Sequence, residues 1–286
     1  MVCHNKMRPG VYIMIQGRRG NQMFQYWVGK FLADSLSRPL YTKLVWGDYL
    51  TSKNRPRIGF ITDKSLTSTS APTSYVTITT PASLDAVLRD YAINGPKANH
   101  KMLIINQYLE EAALVTAHAD FVRDLYREVP PCLTTKRQIA VHVRLGDLAT
   151  YFEQFVEAYI EFTKNVIERH PGLPVVIITD DERHILIQTV CDGLAPTNVR
   201  VQHQDWLSDY EDFGRSSVVV TTNSTFTWWA AWLSPCLEHK YVFLATAMEP
   251  VHNTDGLYRS GTPETWHVYE QSGEQWVTSQ TENFQP

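Results

Sequence analysis

The chain has 286 residues, enough for one large domain or two of roughly 100 to 150 residues each. With 43% hydrophobic, 12% aromatic and 20% charged residues it has the composition of a soluble globular protein, which excludes a disordered or fibrous chain. A formal charge of -4 argues against bulk binding to nucleic acid while leaving room for a local basic site.

Cys3, Cys132, Cys191 and Cys236 are scattered without a C-x-x-C pair, so reduced thiols are expected rather than a zinc site or a dense disulfide framework. No run of about 18 apolar residues occurs, and Met1 to Pro9 lacks the apolar core of a signal peptide. No membrane span is expected in this chain.

In chain order, Val11 to Ile15 reads as a short strand, Gln16 to Asn21 as a glycine-bearing loop, and Phe24, Trp27, Val28 and Phe31 as the apolar stripe of a helix. Residues 51–81 turn to Thr, Ser and Pro, the signature of irregular connection with one strand near Tyr75 to Ile78. A strand at Met102 to Ile105 precedes Leu114, Ala117, Phe121 and Leu125 at helical spacing, and Pro130-Pro131 stops the pattern. The domain boundary is placed there, giving an α/β domain at 1–132, a second α/β domain at 133–248 and a tail at 249–286 packing on them.

The second half alternates strands at 139–143, 175–178, 199–201, 218–220 and 241–244 with helices, among them one at about 182–193 and one from Thr225 to Leu233. Continuous β-branched runs alternating with helices predict a parallel sheet covered on both faces. Two Rossmann-like halves facing a cleft suit a nucleotide ligand.

Four segments at strand-to-helix junctions carry possible chemistry. In Gly17-Arg-Arg-Gly-Asn-Gln22 the glycines let backbone approach a ligand, while Asn21 either binds or simply caps the helix; the spacing does not meet G-x-G-x-x-G. In His142-Val-Arg-Leu-Gly-Asp147, Arg144 can hold a diphosphate bidentately or merely pair with Asp147. His142 can bind a base or phosphate or be a satisfied core histidine. Asp147 or Glu153, the latter near enough to this loop, can act as a base, although solvated charge is the ordinary reading of Glu153 and deprotonation can also come late without a strong base, with Asn21 orienting the hydroxyl.

Asp180 and Asp181 end the third strand and can orient a nucleotide or cap the next helix. The fourth segment, Thr221 to Leu233, sets Asn223, Ser224 and Thr225 at a helix N-terminus, a ready anion site, with Trp228, Trp229 and Trp232 read as core. Asn223-Ser-Thr also fits a glycosylation sequon, discounted because it follows a buried-looking strand.

Taken together, Gly17-Arg-Arg-Gly-Asn-Gln-Met-Phe-Gln-Tyr26, His142-Val-Arg-Leu-Gly-Asp147, Thr179-Asp-Asp181 and Asn223-Ser-Thr-Phe-Thr-Trp-Trp-Ala-Ala-Trp232 resemble the ordered motifs of glycosyltransferase family 11, the α1,2-fucosyltransferases. The resemblance spans about residues 11 to 245. It implies a GT-B fold of two Rossmann-like domains, the one at 1–132 on the acceptor side and the one at 133–248 binding the GDP-sugar, with GDP-β-L-fucose as donor, a carbohydrate acceptor, inversion at the anomeric carbon and no required metal or other cofactor.

By position, Arg144 matches the arginine on the donor diphosphate and His142 a residue near it and the guanine. Ser224 and Thr225 match the hydroxyl residues around the phosphates. Asp209 resembles the acid that reads guanine, and Gly20 and Asn21 match the loop bordering the acceptor. The resemblance departs at Leu145, where a second arginine is usual. That departure keeps two further readings open: transfer of another nucleotide-linked sugar, and a binding module without turnover. A cytoplasmic enzyme of bacterial or viral type, or a trimmed form of an anchored one, is the expected setting.

Overall fold

The computed structural model describes residues 10–44, 75–95, 102–105, 109–126, 134–195, 197–245, 257–258, 263, 265–272 and 275–278. The chain divides into two compact units, Met1–Val129 and Pro130–Pro286.

The first unit holds a parallel sheet of four strands in the order β2-β1-β4-β3, with β1 at Val11–Ile15, β2 at Leu40–Leu44, β3 at Tyr75–Ile78 and β4 at Met102–Ile105. Between β1 and β2 runs α1, Arg19–Ser35, in which every residue from Gly20 to Gly29 is buried. Its apolar stripe includes the predicted Phe24, Trp27 and Val28, and Gly29 lets it approach β1. A Cβ at Gly29 would sit 2.3 Å from Cδ1 of Ile13.

The sequence reading passed over β2 and also over α2, Pro81–Asn94. Local chemistry explains α2: Thr80 Oγ1 accepts from the Ser83 N–H, Ser83 Oγ accepts from the Thr80 N–H, and proline occupies the first turn. The helix predicted through Leu114 to Leu125 is two, α3 (Ala112–Ala117) and α4 (Ala119–Leu125), broken at His118.

The second unit carries a seven-stranded sheet, β11-β10-β9-β8-β5-β6-β7, parallel except for β11. Its strands are β5 Lys136–Val143, β6 Val175–Thr179, β7 Val199–Gln202, β8 Ser216–Thr221, β9 His239–Leu244, β10 Trp266–Ser272 and β11 Gln275–Thr278. Beyond Glu249, where periodicity predicted no element, β10 and β11 extend the sheet. A short 3-10 turn at Gly146–Leu148 leads into α5 (Ala149–Glu153) and α6 (Val156–Arg169), so the helical connection after β5 is segmented. The remaining helices are α7 (Ile185–Gly193), α8 (Trp206–Arg215) and α9 (Thr225–Trp232).

Alternate residues of β5 face opposite layers. Ile139, Val141 and Val143 join Tyr159, Phe162, Ile187 and Phe243 in one core, whereas the His142 ring meets Phe213 of α8 edge-on at 5.2 Å on the other face. Trp228 and Trp229 are buried as expected, with Trp228 stacked on Trp232 and edge-on to Trp266. Each unit is thus a Rossmann-like parallel sheet flanked by helices, and two such domains are the content of a GT-B fold. Cys191 is a free thiol, but Cys236 is disulfide-bonded, which corrects the expectation of reduced thiols for that position.

Adding one methyl group at the α1–β1 contact overfills it. Gly29→Ala is expected to cost about 1–3 kcal/mol in urea denaturation, and Ile13→Val to restore part of that loss.

Candidate functional site

Strands β5, β6 and β7 succeed one another toward one edge of the larger sheet, whereas β8, β9 and β10 succeed one another toward the other. The neighbours β5 and β8 therefore send their connections to opposite faces, which opens a crevice beyond their carboxyl ends. Val141 pairs with Val220, so continuing the parallel register sets Arg144 level with Asn223.

Arg144 is mostly buried, and its guanidinium NH2 donates to both Asp147 oxygens at 2.9 and 3.2 Å, while Asp147 itself is exposed. That ion pair is the bland alternative made real. Yet Nε of Arg144 is buried without a partner. Asn223, 1% exposed, has neither a donor for its Oδ1 nor an acceptor for its Nδ2. An unsatisfied buried polar group costs about 1–3 kcal/mol, so two such groups at one crevice call for a ligand or for compensating stability elsewhere.

Ser224 is the N-cap of α9, its Oγ accepting from the Thr227 N–H at 3.4 Å. Tyr258 clamps the same residue, its hydroxyl accepting from Ser224 N–H at 3.2 Å and donating to Ser224 C=O at 3.1 Å. Thr225 opens the helix, and Phe226 lies between Tyr210 and Phe213 at 5.4 and 6.2 Å. The N-terminus of α9 follows the end of β8 as Arg144 follows the end of the neighbouring β5, and a helix N-terminus carries partial positive charge.

Asp180 does not cap the next helix. Its Oδ1 accepts from the Leu145 N–H at 2.7 Å, pinning the backbone just after Arg144. Nor does Asp181, which accepts from Arg183 N–H in a local turn; α7 begins at Ile185 with His184 Nδ1 as the capping acceptor. Asn21 is not a cap either, since α1 starts at Arg19 and Asn21 lies inside its first turn, next to Gly20 in the smaller unit. Leu145 is fully buried with Leu148 and Phe152, facing the core and not the crevice.

His142 is buried, its Nδ1 3.4 Å from Thr221 Oγ1. Burial pushes its imidazole down to about 3, opposed by Asp180 and reinforced by Arg144 and Lys240, so the ring is neutral at physiological pH. Lys240 escaped the sequence reading. It is fully buried, donates to Thr227 C=O at 3.2 Å, and lies 4.0 Å from the centroid of Trp266; burial holds its amine well below the usual lysine range. A lysine just before an apolar strand run carried no signal, and Tyr258 lay in a stretch read as a polar tail.

Farther along the same edge, Asp209 sits in the first turn of α8, where burial raises its carboxyl. Gln202 Nε2 at 3.5 Å and Gln204 N–H at 3.4 Å hold it only loosely, which leaves acceptor capacity for a base edge. Its neighbour Asp212 is instead saturated by Lys136 and Gln202. Glu153 is exposed at the end of α5 and makes no hydrogen bond or ion pair among the described residues. Thus Arg144, Asp147 and Asp180 meet past the end of β5, His142 reaches Thr221 of β8, and Asn223, Ser224 and Thr225 follow the end of β8, the strand next to β5; Asp209 lies in the first turn of α8.

Among the described residues, no group of three or more His, Cys, Asp or Glu is placed to hold a metal ion, and no helix is long and apolar enough to cross a membrane.

No protein-family profile matches the chain, and no curated protein matches it. Solved structures with a similar course of the chain include a point mutant of Arabidopsis thaliana FUT1 in complex with GDP, at TM-score 0.46 and 12% identity, covering 81% of this chain and 69% of that one. POFUT1 in complex with GDP gives 0.42 and 14%, covering 82% and 99%. The α-1,6-fucosyltransferase NodZ, co-crystallised with GDP, gives 0.41 and 18%, covering 82% and 94%. Every TM-score is below one half and every identity below one fifth, so none of them assigns a ligand or an activity to this chain.

Because the unfolded chain binds a proton at His142 below about pH 6.5 and the folded chain does not until about 3, the folded state loses stability across that window as pH falls. The expected slope from this one group approaches about 1.4 kcal/mol per pH unit, and His142→Gln should remove it in denaturation curves between pH 4 and 7. Leu145→Arg, which places a charge in the core, is expected to lower the midpoint of unfolding and to give no gain in anion binding by calorimetry.

Proposed function

We propose that the chain is an inverting fucosyltransferase that takes GDP-β-L-fucose and passes fucose to a glycan hydroxyl, α1,2 to galactose or a similar sugar. The observation that carries the anion half of this reading is the pair of orphaned buried groups, Asn223 and the Nε of Arg144, past the ends of the neighbouring strands β8 and β5. The identity of sugar and base rests on the motif resemblance around those residues.

In this reading the diphosphate lies across Arg144 and the N-terminus of α9 at Thr225, with Asn223 supplying a donor, while the Ser224 N–H stays with the Tyr258 hydroxyl. Asp147 and Asp180 hold Arg144 from its side chain and from the following backbone. The loosely held carboxylate of Asp209 accepts from guanine. Neutral His142 packs beneath the strand end and adds no charge that would compete for the diphosphate. The acceptor oxygen attacks C1 opposite the diphosphate, the C1–O bond breaks, and its electron pair leaves with GDP. Arg144 and the helix amides meet that charge in place, without solvent rearrangement. The motif resemblance assigns Asn21 to the acceptor, and no step calls for a metal.

Calorimetry with GDP and product analysis with GDP-fucose over a panel of glycan acceptors test the reading. Arg144→Ala is expected to lower kcat at least roughly 100-fold. Asn223→Ala should weaken GDP binding roughly 5- to 30-fold while leaving the unliganded protein as stable as before or more so, because it deletes an unsatisfied group. A chain that fails to bind GDP sinks the donor assignment. Binding without hydrolysis or transfer would favour the non-catalytic module.

A further inference from the structure

The larger unit buries an amine that none of the four motifs contains. Lys240 is 0% exposed, and its side chain leaves β9 on the face opposite the aromatic core that holds Tyr241 and Phe243. There it meets α9. Nζ donates to Thr227 C=O at 3.2 Å, and the Thr227 N–H in turn donates to Oγ of Ser224, the N-cap, at 3.4 Å. Lys240 therefore lies beneath the first turn of the helix that opens past the end of β8.

The surroundings half-build a site for a cation. Nζ is 4.0 Å from the Trp266 ring centroid and 5.4 Å from that of Tyr258, the residue whose hydroxyl clamps Ser224, and both ring faces favour a charged amine. No carboxylate among the described residues pairs with it. Of the elements packed on Lys240, β8 and α9 contain no ionisable residue, and on β10 Glu270 is level with Leu244, four positions farther along β9. Its titratable neighbours are Tyr258 and, on the same face of the sheet, His142 of β5. Lys240 and Arg144 both oppose protonation of that histidine, so the two cations share one buried electrostatic neighbour.

An amine buried without a counter-ion gives up its proton, and burial holds Lys240 well below the usual lysine range. An anion bound close by reverses that balance, because attraction in a low-dielectric corner offsets the desolvation of the charge.

We infer that Lys240 is the buried counter-charge of the donor diphosphate, neutral in the free protein and protonated in the GDP complex. The inference rests on the fucosyltransferase reading and involves residues of the larger unit alone. The proton comes from the medium: one N–H bond forms at Nζ and the buffer loses one proton. The added charge then stands beneath the helix terminus that meets the diphosphate, held by Thr227 C=O and the two ring faces.

Calorimetric titration with GDP, in buffers of different ionisation enthalpy between about pH 7.5 and 8.5, counts the protons exchanged on binding. Lys240→Gln is the reference, since glutamine keeps a donor for Thr227 C=O but takes up no proton, and any proton exchanged by GDP itself appears equally in both. The parent should take up an excess of roughly 0.5 to 1 proton per GDP, and its affinity should fall up to about tenfold per pH unit as pH rises. Lys240→Gln should bind roughly tenfold more weakly at the acid end, and Lys240→Met to the same extent, because the charge and not the hydrogen bond is what GDP reads. Equal proton counts with affinities within about twofold would overturn the inference and leave Lys240 as a brace for α9. Weaker binding by Lys240→Gln without the excess would overturn it too, placing the charge on Lys240 already in the free protein. Should neither variant fold, the parent decides: a GDP affinity independent of pH over this range sinks the inference. A parent that does not bind GDP at all overturns the donor reading itself, and this inference with it.

Discussion

The parallel pairing of β5 with β8 is the constraint on which the larger unit depends. These two strands are neighbours in the sheet, yet their chain continuations run in opposite directions, to α6 on one face and α9 on the other. Side chains that follow them have no covering helix directly above, and the crevice between is where polar groups can be buried against backbone without being satisfied by it. Arg144 and Asn223 each stand three positions past the paired Val141 and Val220, and the Asp180 bond to Leu145 N–H draws the end of β6 to the end of β5. A change in the order of strands would leave these residues intact and separate them.

Holding such a corner has an energetic cost. Orphaned groups at Asn223 and Arg144, a neutral buried His142 and a buried Lys240 all oppose folding. What offsets them lies in the same sheet. Phe152, Phe155, Tyr159, Phe162 and Phe243 form a connected set of ring contacts on one face, with centroids between 5.1 and 6.5 Å. Trp228, Trp229, Trp232 and Trp266 do the same on the other. Tyr159 connects the two roles, for its hydroxyl donates to the His142 carbonyl at 2.9 Å while its ring packs in the core. Rigidity in the aromatic layer is thereby transmitted to the strand end that carries Arg144.

Much of this was legible because buried parallel strands announce themselves. Val175–Thr179 and Ser216–Thr221 are buried throughout and read as apolar runs, and the residues just past them were singled out for that reason. Elements whose stability comes from elsewhere did not announce themselves. The strand β2 is short and polar in alternate positions, α2 depends on a capping box with serine in place of the usual acid, and β10 is a strand because β9 gives it an edge. Cap assignments failed at Asn21, Asp180 and Asp181 for one shared reason. Each polar side chain had a competing partner distant in sequence or a local turn, and such competition cannot be weighed from spacing. Glu110, which accepts from Asn21 Nδ2, was invisible as its partner on the same grounds, since the two are 89 positions apart.

The departure at Leu145 looks different once the pleat is followed. Residues 139, 141 and 143 point into the aromatic core and 140 and 142 away from it, and Leu145 keeps the phase of the first set although the strand has ended. Its neighbours Leu148 and Phe152 occupy the space around it, and its N–H is already taken by Asp180. In this backbone only one of two successive positions after Val143 can face the crevice, so a second arginine would enter the core, where its charge has no partner. The additional positive potential at the crevice itself then comes from groups that need no side-chain direction: the amides at the start of α9, held by the Tyr258 clamp on Ser224. One guanidinium and one fixed helix terminus are what this strand pair can present to an anion, and the leucine is the consequence of that geometry.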